Sequence, residues 1–152
     1  MVKNAGYSLI ELLTVMTVGT ILVGIGLFNL NVLNRRQVLV QSTKKLVADL
    51  RQTKSLADAQ QKPNGCDVLN GYSLTVTSSN TVTIKAECVN GNYDYQNKLY
   101  TAQITNVTKV FYPVLQQPAQ VTSENNTNEI GISQNGQTIT ISISISGSID
   151  YE

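Results

Sequence analysis

The chain has 152 residues, a formal net charge of +1, no histidine and two cysteines. That length bounds it to one modest domain with an anchor. The missing histidines exclude zinc sites of the Cys/His type and the usual His-based triads, so no metal, no other cofactor and no enzymatic activity are expected.

A short polar leader, Met1-Val2-Lys3-Asn4-Ala5-Gly6, opens the sequence and runs into Tyr7-Ser8-Leu9-Ile10-Glu11-Leu12-Leu13. From Leu12 to Asn34 no residue is charged. In helical form that run spans roughly 34 Å, enough to cross a bilayer, which predicts a membrane span over about 9–34. Glu11 stands at its head. A charged side chain placed centrally in a membrane helix costs ~2.5–3.5 kcal/mol at least, so this carboxylate calls for a partner or a role.

Gly6, the Ser8-Leu9-Ile10-Glu11-Leu12 core and the apolar tail, in that register, resemble the class III signal of type IV pilins and type II secretion pseudopilins. The resemblance implies cleavage between Gly6 and Tyr7 by a prepilin peptidase and N-methylation of Tyr7. It further implies that Glu11 of one subunit pairs with the Tyr7 amine of a neighbour, setting axial register. The alternative is a Glu11 that snorkels to the headgroups. The implied partners are the peptidase/methyltransferase, copies of the chain or other pilins, inner-membrane assembly machinery and the membrane itself. Tyr7 stands where the family more often has phenylalanine, and Ser8 where it has threonine. A plain signal anchor would show a similar apolar run. A secretory signal peptide fits badly, because its basic region should precede the core and a small-residue cleavage site should follow.

Arg35 and Arg36 follow the apolar run, whereas Lys3 is the only basic side chain before it. Counting positive charges alone would put the C-terminal side in the cytoplasm. The leader resemblance demands the reverse: an N-terminus-in precursor in the cytoplasmic membrane, then a filament at the cell surface or outside the cell.

Residues 7–62 read as one long helix. Its second half carries Leu39, Leu46, Leu50 and Ala57 at spacings that make an amphipathic stripe for packing on a following domain. Asp49-Leu50-Arg51 with Lys54, Ser55 and Ala57 resembles the end of this helix in H-type pseudopilins and FimT-type minor pilins. Gly24 and Gly26, followed by Asn29 and Asn31, mark a candidate weak point. Pro63-Asn64-Gly65 ends the helix.

From residue 63 to 152 the period changes to two, predicting a β-rich extracytoplasmic domain. Tyr72, Leu74 and Val76, then Val82, Ile84, Ala86 and Cys88, predict a hairpin with residue 70 opposite 88. Asn90-Gly91-Asn92 reads as the next turn, with strands near 99–105 and 107–112. Pro113 and Pro118 bracket an irregular connection, and 123–128 a polar loop. A second hairpin runs from Glu129 through Asn135-Gly136 to Ser146, with Ile139, Ile141, Ile143 and Ile145 on one face. So regular a strand is an edge-pairing hazard unless covered. Cys66 and Cys88 are too far apart for a redox Cys-x-x-Cys pair. In an oxidising compartment they would close a loop of about 22 residues, worth roughly 3 kcal/mol; the alternative is two buried thiols.

The fold expected is therefore α+β and pilin-like, a long N-terminal helix packed on an antiparallel sheet domain. Seven basic residues lie between Arg35 and Lys62 against Asp49 and Asp58, stem charges expected on a solvated helix face or against acidic surfaces of neighbouring subunits, whereas the chain from Pro63 onward carries three basic against seven acidic residues. A basic stem under an acidic head disfavours a nucleic-acid partner, and with it a DNA-uptake tip. The function expected is a structural pilus subunit, major or minor, with a secretion pseudopilin as alternative. An adhesive tip would place its contacts in the Asn-, Thr- and Tyr-rich stretches 90–98 and 123–128, both read as loops.

Overall fold

The computed structural model describes residues 8–115, 117–123, 125 and 127–151, and leaves the side chains of residues 25–32 undescribed. The architecture is α+β: an N-terminal helix, then an antiparallel β-sheet domain. The chain divides into two units, residues 1–36 and 37–152.

Helix α1 covers Leu9–Asp58. No proline precedes Pro63, so nothing in the sequence breaks the backbone ladder earlier. The helix is started by Ser8, whose carbonyl accepts the Glu11 and Leu12 amides at 3.0 and 3.1 Å. It stops at a Schellman turn rather than at Pro63. Gln60 takes a left-handed conformation (φ 49°). The Gln61 amide then donates to the Leu56 carbonyl and the Gln60 amide to that of Ala57, satisfying orphan carbonyls of the last turn.

Within residues 37–152, the helix buries Leu39, Thr43, Leu46, Val47, Leu50, Thr53 and Ala57, one face at the 3.6-residue period. The face joins a core made by two sheets. The first holds five strands in the order β3-β2-β1-β5-β6: β1 Leu69–Ser78, β2 Thr81–Cys88, β3 Gly91–Leu99, β5 Val107–Pro113 and β6 Gln120–Ser123. The second holds four in the order β4-β7-β8-β9: β4 Gln103–Thr105, β7 Glu129–Gln134, β8 Gln137–Ile143 and β9 Ile149–Tyr151. Every pairing is antiparallel. Tyr72, Leu74, Val82, Ile84, Val110, Ile130, Ile132 and Ile141 are buried between these layers, the inward half of each alternating strand.

The register departs from the expectation at several points. A shift between Leu69 and Gly71 sets Leu69, not residue 70, opposite Cys88. The same stretch has a close approach of strands: a Cβ on Gly71 would lie 2.3 Å from the Tyr112 carbonyl oxygen, so only glycine fits. Segment 90–98 is not a loop, because Gly91–Leu99 is β3, paired along β2 and forming one edge of its sheet. Strands β6 and β9 were not foreseen. β8 ends at Ile143, so Ile145 leaves the apolar row and stands 70 % exposed in the turn to β9. That turn also removes the edge hazard of β8, which lies between β7 and β9. Segment 123–128 includes residues 124 and 126, which lie outside the described set.

Candidate functional site

Two regions hold the residues that sequence reasoning singled out. In the first unit, Gly6 and Tyr7 lie outside the described residues. Glu11 is described: it is exposed in the first turn of α1, where a carboxylate interacts favourably with the positive end of the helix dipole. Behind it runs a ladder that sequence reading missed. The Thr14 hydroxyl donates to the Glu11 carbonyl at 2.9 Å, Thr17 to Thr14 at 2.8 Å and Thr20 to Thr17 at 2.9 Å. Each hydroxyl is satisfied by its own backbone, so three polar residues stand in an apolar segment without a free donor. The three-residue spacing of the threonines was the available signal.

Around them, Leu9, Ile10, Leu12, Leu13, Val15, Met16, Val18, Ile21, Leu22 and Val23 are all exposed. A helix apolar around its whole circumference is the chemistry of a segment surrounded by lipid or by other apolar helices. Among the described residues no helix is long and apolar enough to cross a membrane. The span expected over 9–34 includes residues 25–32, outside the described side chains.

In the second unit, Cys66 and Cys88 form a disulfide across a sequence separation of 22 residues, with Cα atoms 5.7 Å apart. It staples the segment after α1 to the end of β2. Asn90 and Tyr93 complete the staple: the Asn90 amide and the Tyr93 hydroxyl both donate to the Gly65 carbonyl, at 2.6 and 2.7 Å.

Asp49 is the residue that sequence reasoning misplaced. Grouped among the charges of a solvated stem, it is in fact buried, because it sits three residues after Leu46 and four before Thr53, on the core side of the helix. Its carboxylate accepts a hydrogen bond from the Tyr100 hydroxyl and pairs with Lys98 at 3.6 Å. Lys45 closes the cluster, its ammonium lying 4.8 Å from the centre of the Tyr100 ring and donating to the Leu99 carbonyl at 2.7 Å. Burial, then the hydrogen bond and negative charge of Asp49, push the Tyr100 hydroxyl well above its ordinary pKa of 10.0. The cluster ties the end of β3 to the helix, and a cleft of about 150 Å³ opens beside Lys45, Leu99 and Tyr100.

A cleft of about 290 Å³ opens beside Lys54, Asp58, Tyr112, Gln117 and Gly147. The Lys54 ammonium is already engaged there, donating to the Ser146 carbonyl at 3.0 Å and that of Gly147 at 3.4 Å. Among the described residues no three His, Cys, Asp or Glu side chains converge as a metal site would require.

Residues 1–27 match the family model described as the prokaryotic N-terminal methylation motif. This is the class III signal of type IV pilins and pseudopilins, and it marks the chain as a type IV pilin-like or pseudopilin precursor. The motif implies processing by a prepilin peptidase, assembly with other pilins, and a membrane-anchored precursor that becomes a surface filament. Comparison with curated proteins and with solved structures gave no match.

Proposed function

We propose that the chain is a structural subunit, pilin or minor pilin, of a type IV pilus. Cleavage between Gly6 and Tyr7 frees the Tyr7 amine, which is then N-methylated. Glu11 of one subunit pairs with that amine on the next as the subunits leave the membrane.

The observation that carries the reading is the methylation motif over residues 1–27, within which Glu11 stands exposed in the first helical turn. The physics supports it. A carboxylate in an apolar filament core is costly alone and largely offset when it faces an ammonium. The apolar circumference of residues 9–24 gives that core its material, and the disulfide suits an oxidising compartment outside the cytoplasm.

The test is intact mass and N-terminal sequencing of the chain recovered from membranes and from sheared surface filaments. A chain beginning at Tyr7 with one added methyl group, present in the filament fraction, supports the proposal. The same mature chain confined to the envelope would make it a pseudopilin instead. A chain still beginning at Met1 in the membrane fraction alone would overturn both. The register role of Glu11 has its own check: Glu11→Lys should be cleaved normally yet fail to enter filaments.

A further inference from the structure

We infer that the second unit carries a head-to-tail docking contact for another copy of this chain, formed by the exposed ridge of α1 on one copy and the open face of the four-stranded sheet on the next. The inference rests on the filament reading above.

Eight cations lie in residues 37–152, and six have partners. Lys85, Lys98 and Lys109 pair with Asp94, Asp49 and Glu87. Lys45, Lys54 and Lys62 donate to backbone carbonyls. Lys44 and Arg51 make no ion pair and no side-chain hydrogen bond among the described residues, and both are exposed. They are seven residues apart, two turns of helix, so they lie on one ridge about 10.5 Å apart along its axis. Ala48, also exposed, stands between them on that ridge, and Asp58 marks its end one heptad on.

The sheet offers the complement. Glu129 is paired in register with Ser142, and Ser142 with Asp150. Residues directly opposite on neighbouring strands project to the same face. Glu129 and Asp150 therefore flank Ser142 on one face, two strand spacings or about 9.5 Å apart. All three are exposed, and neither carboxylate has a cation among the described residues. Thr138 and Thr140 extend the same face along β8 with small side chains.

Two cations and two carboxylates, each without a partner among the described residues, thus stand at matching separations on different surfaces of one chain. Such a contact is heterologous: it does not close on itself as a twofold dimer, and it propagates from copy to copy.

The test is incorporation of full-length chains into sheared filaments, with wild type as reference and Cys66–Cys88 oxidation as the folding control. Reversing one side (Lys44→Glu with Arg51→Glu) or the other (Glu129→Lys with Asp150→Lys) is expected to lower incorporation roughly tenfold. Combining all four substitutions in one chain should restore it to within about twofold of wild type, because complementarity returns with the signs exchanged. Wild-type filaments should also shed the subunit more readily as salt rises, since exposed charges are screened beyond about 10 Å at 0.1 M. If either double variant incorporates like wild type, or the fourfold variant stays as poor as the doubles, the contact is overturned while the filament reading stands. If wild type itself never enters filaments, the filament reading falls and takes this contact with it.

Discussion

The two halves of helix α1 are built from similar apolar residues and do opposite things with them. Over residues 9–24 every large apolar side chain is exposed, on all sides of the helix. Over 39–57 Leu39, Leu46, Val47, Leu50, Leu56 and Ala57 gather on one face and are buried. Both halves satisfy their threonines in the same way: Thr43 donates to the Leu39 carbonyl and Thr53 to that of Asp49, as Thr14, Thr17 and Thr20 do one turn back in the first half. Local backbone chemistry therefore does not separate them. What separates them is the cover. The second half brings its own in the β domain, whereas the first requires lipid or neighbouring apolar helices.

The sharpest test of this contrast is truncation of one leucine in each half. Leu50 has no exposed surface, so Leu50→Ala should destabilise the domain by about 2–5 kcal/mol, the transfer and cavity terms together. Leu13 is 53 % exposed, and Leu13→Ala should leave stability within ~0.5 kcal/mol in chemical denaturation of the detergent-solubilised chain. Equal effects would break the comparison. Next in size is the staple after the helix. Replacing Cys66 and Cys88 together with serine should cost roughly 3 kcal/mol, read as a lower denaturation midpoint.

The Asp49 cluster gives a smaller, pH-dependent effect. Tyr100→Phe leaves a buried carboxylate short of one donor, expected to cost about 1–3 kcal/mol. Burial also raises the pKa of Tyr112, and that of Tyr72, the latter with a contribution from Tyr95. In each case the folded state holds the phenolic proton more tightly than the unfolded chain does. Below the ordinary value of 10.0 both states keep the proton, and this contribution to stability is fully present. Above it the unfolded chain binds fewer protons, so stability falls as pH rises from about 10 upward. Tyr100→Phe should therefore flatten the alkaline limb of a stability–pH curve while lowering its neutral plateau. An unchanged limb would show that Tyr100 does not drive it.

How much of this was legible in the sequence follows from how strongly each element is sided. The first hairpin and the Ile-rich second one alternate because one face of each is buried, and alternation is what a sequence displays. β3 is an edge strand with little burial on either face, so its Asn, Tyr and Lys residues read as a loop. β9 has three residues, too few for a period. Asp49 was misread because charge was weighed above phase; its position in the helical repeat already placed it inside. At the amino terminus, by contrast, the methylation motif over residues 1–27 was legible, because a signal of this kind is written in local sequence and not in tertiary packing.

The smallest expected effects concern backbone freedom, which the two halves distribute against expectation. Gly24 lies mid-helix, where a Cβ would meet nothing within 4 Å, so its glycine is not required by packing within the subunit. Gln60 occupies the left-handed position at the helix end, where glycine would fit without strain. Gly24→Ala should raise helix stability by ~1 kcal/mol at most, read by circular dichroism during thermal melting in detergent. Gln60→Gly relieves the left-handed backbone but gives the unfolded chain more freedom, leaving a net gain of a few tenths of a kcal/mol in the denaturation midpoint. If Gly24→Ala stabilises the isolated subunit yet impairs filament incorporation, the glycine is kept for close approach between neighbouring helices. That result would extend the contrast between the halves from what covers each to what each must leave open.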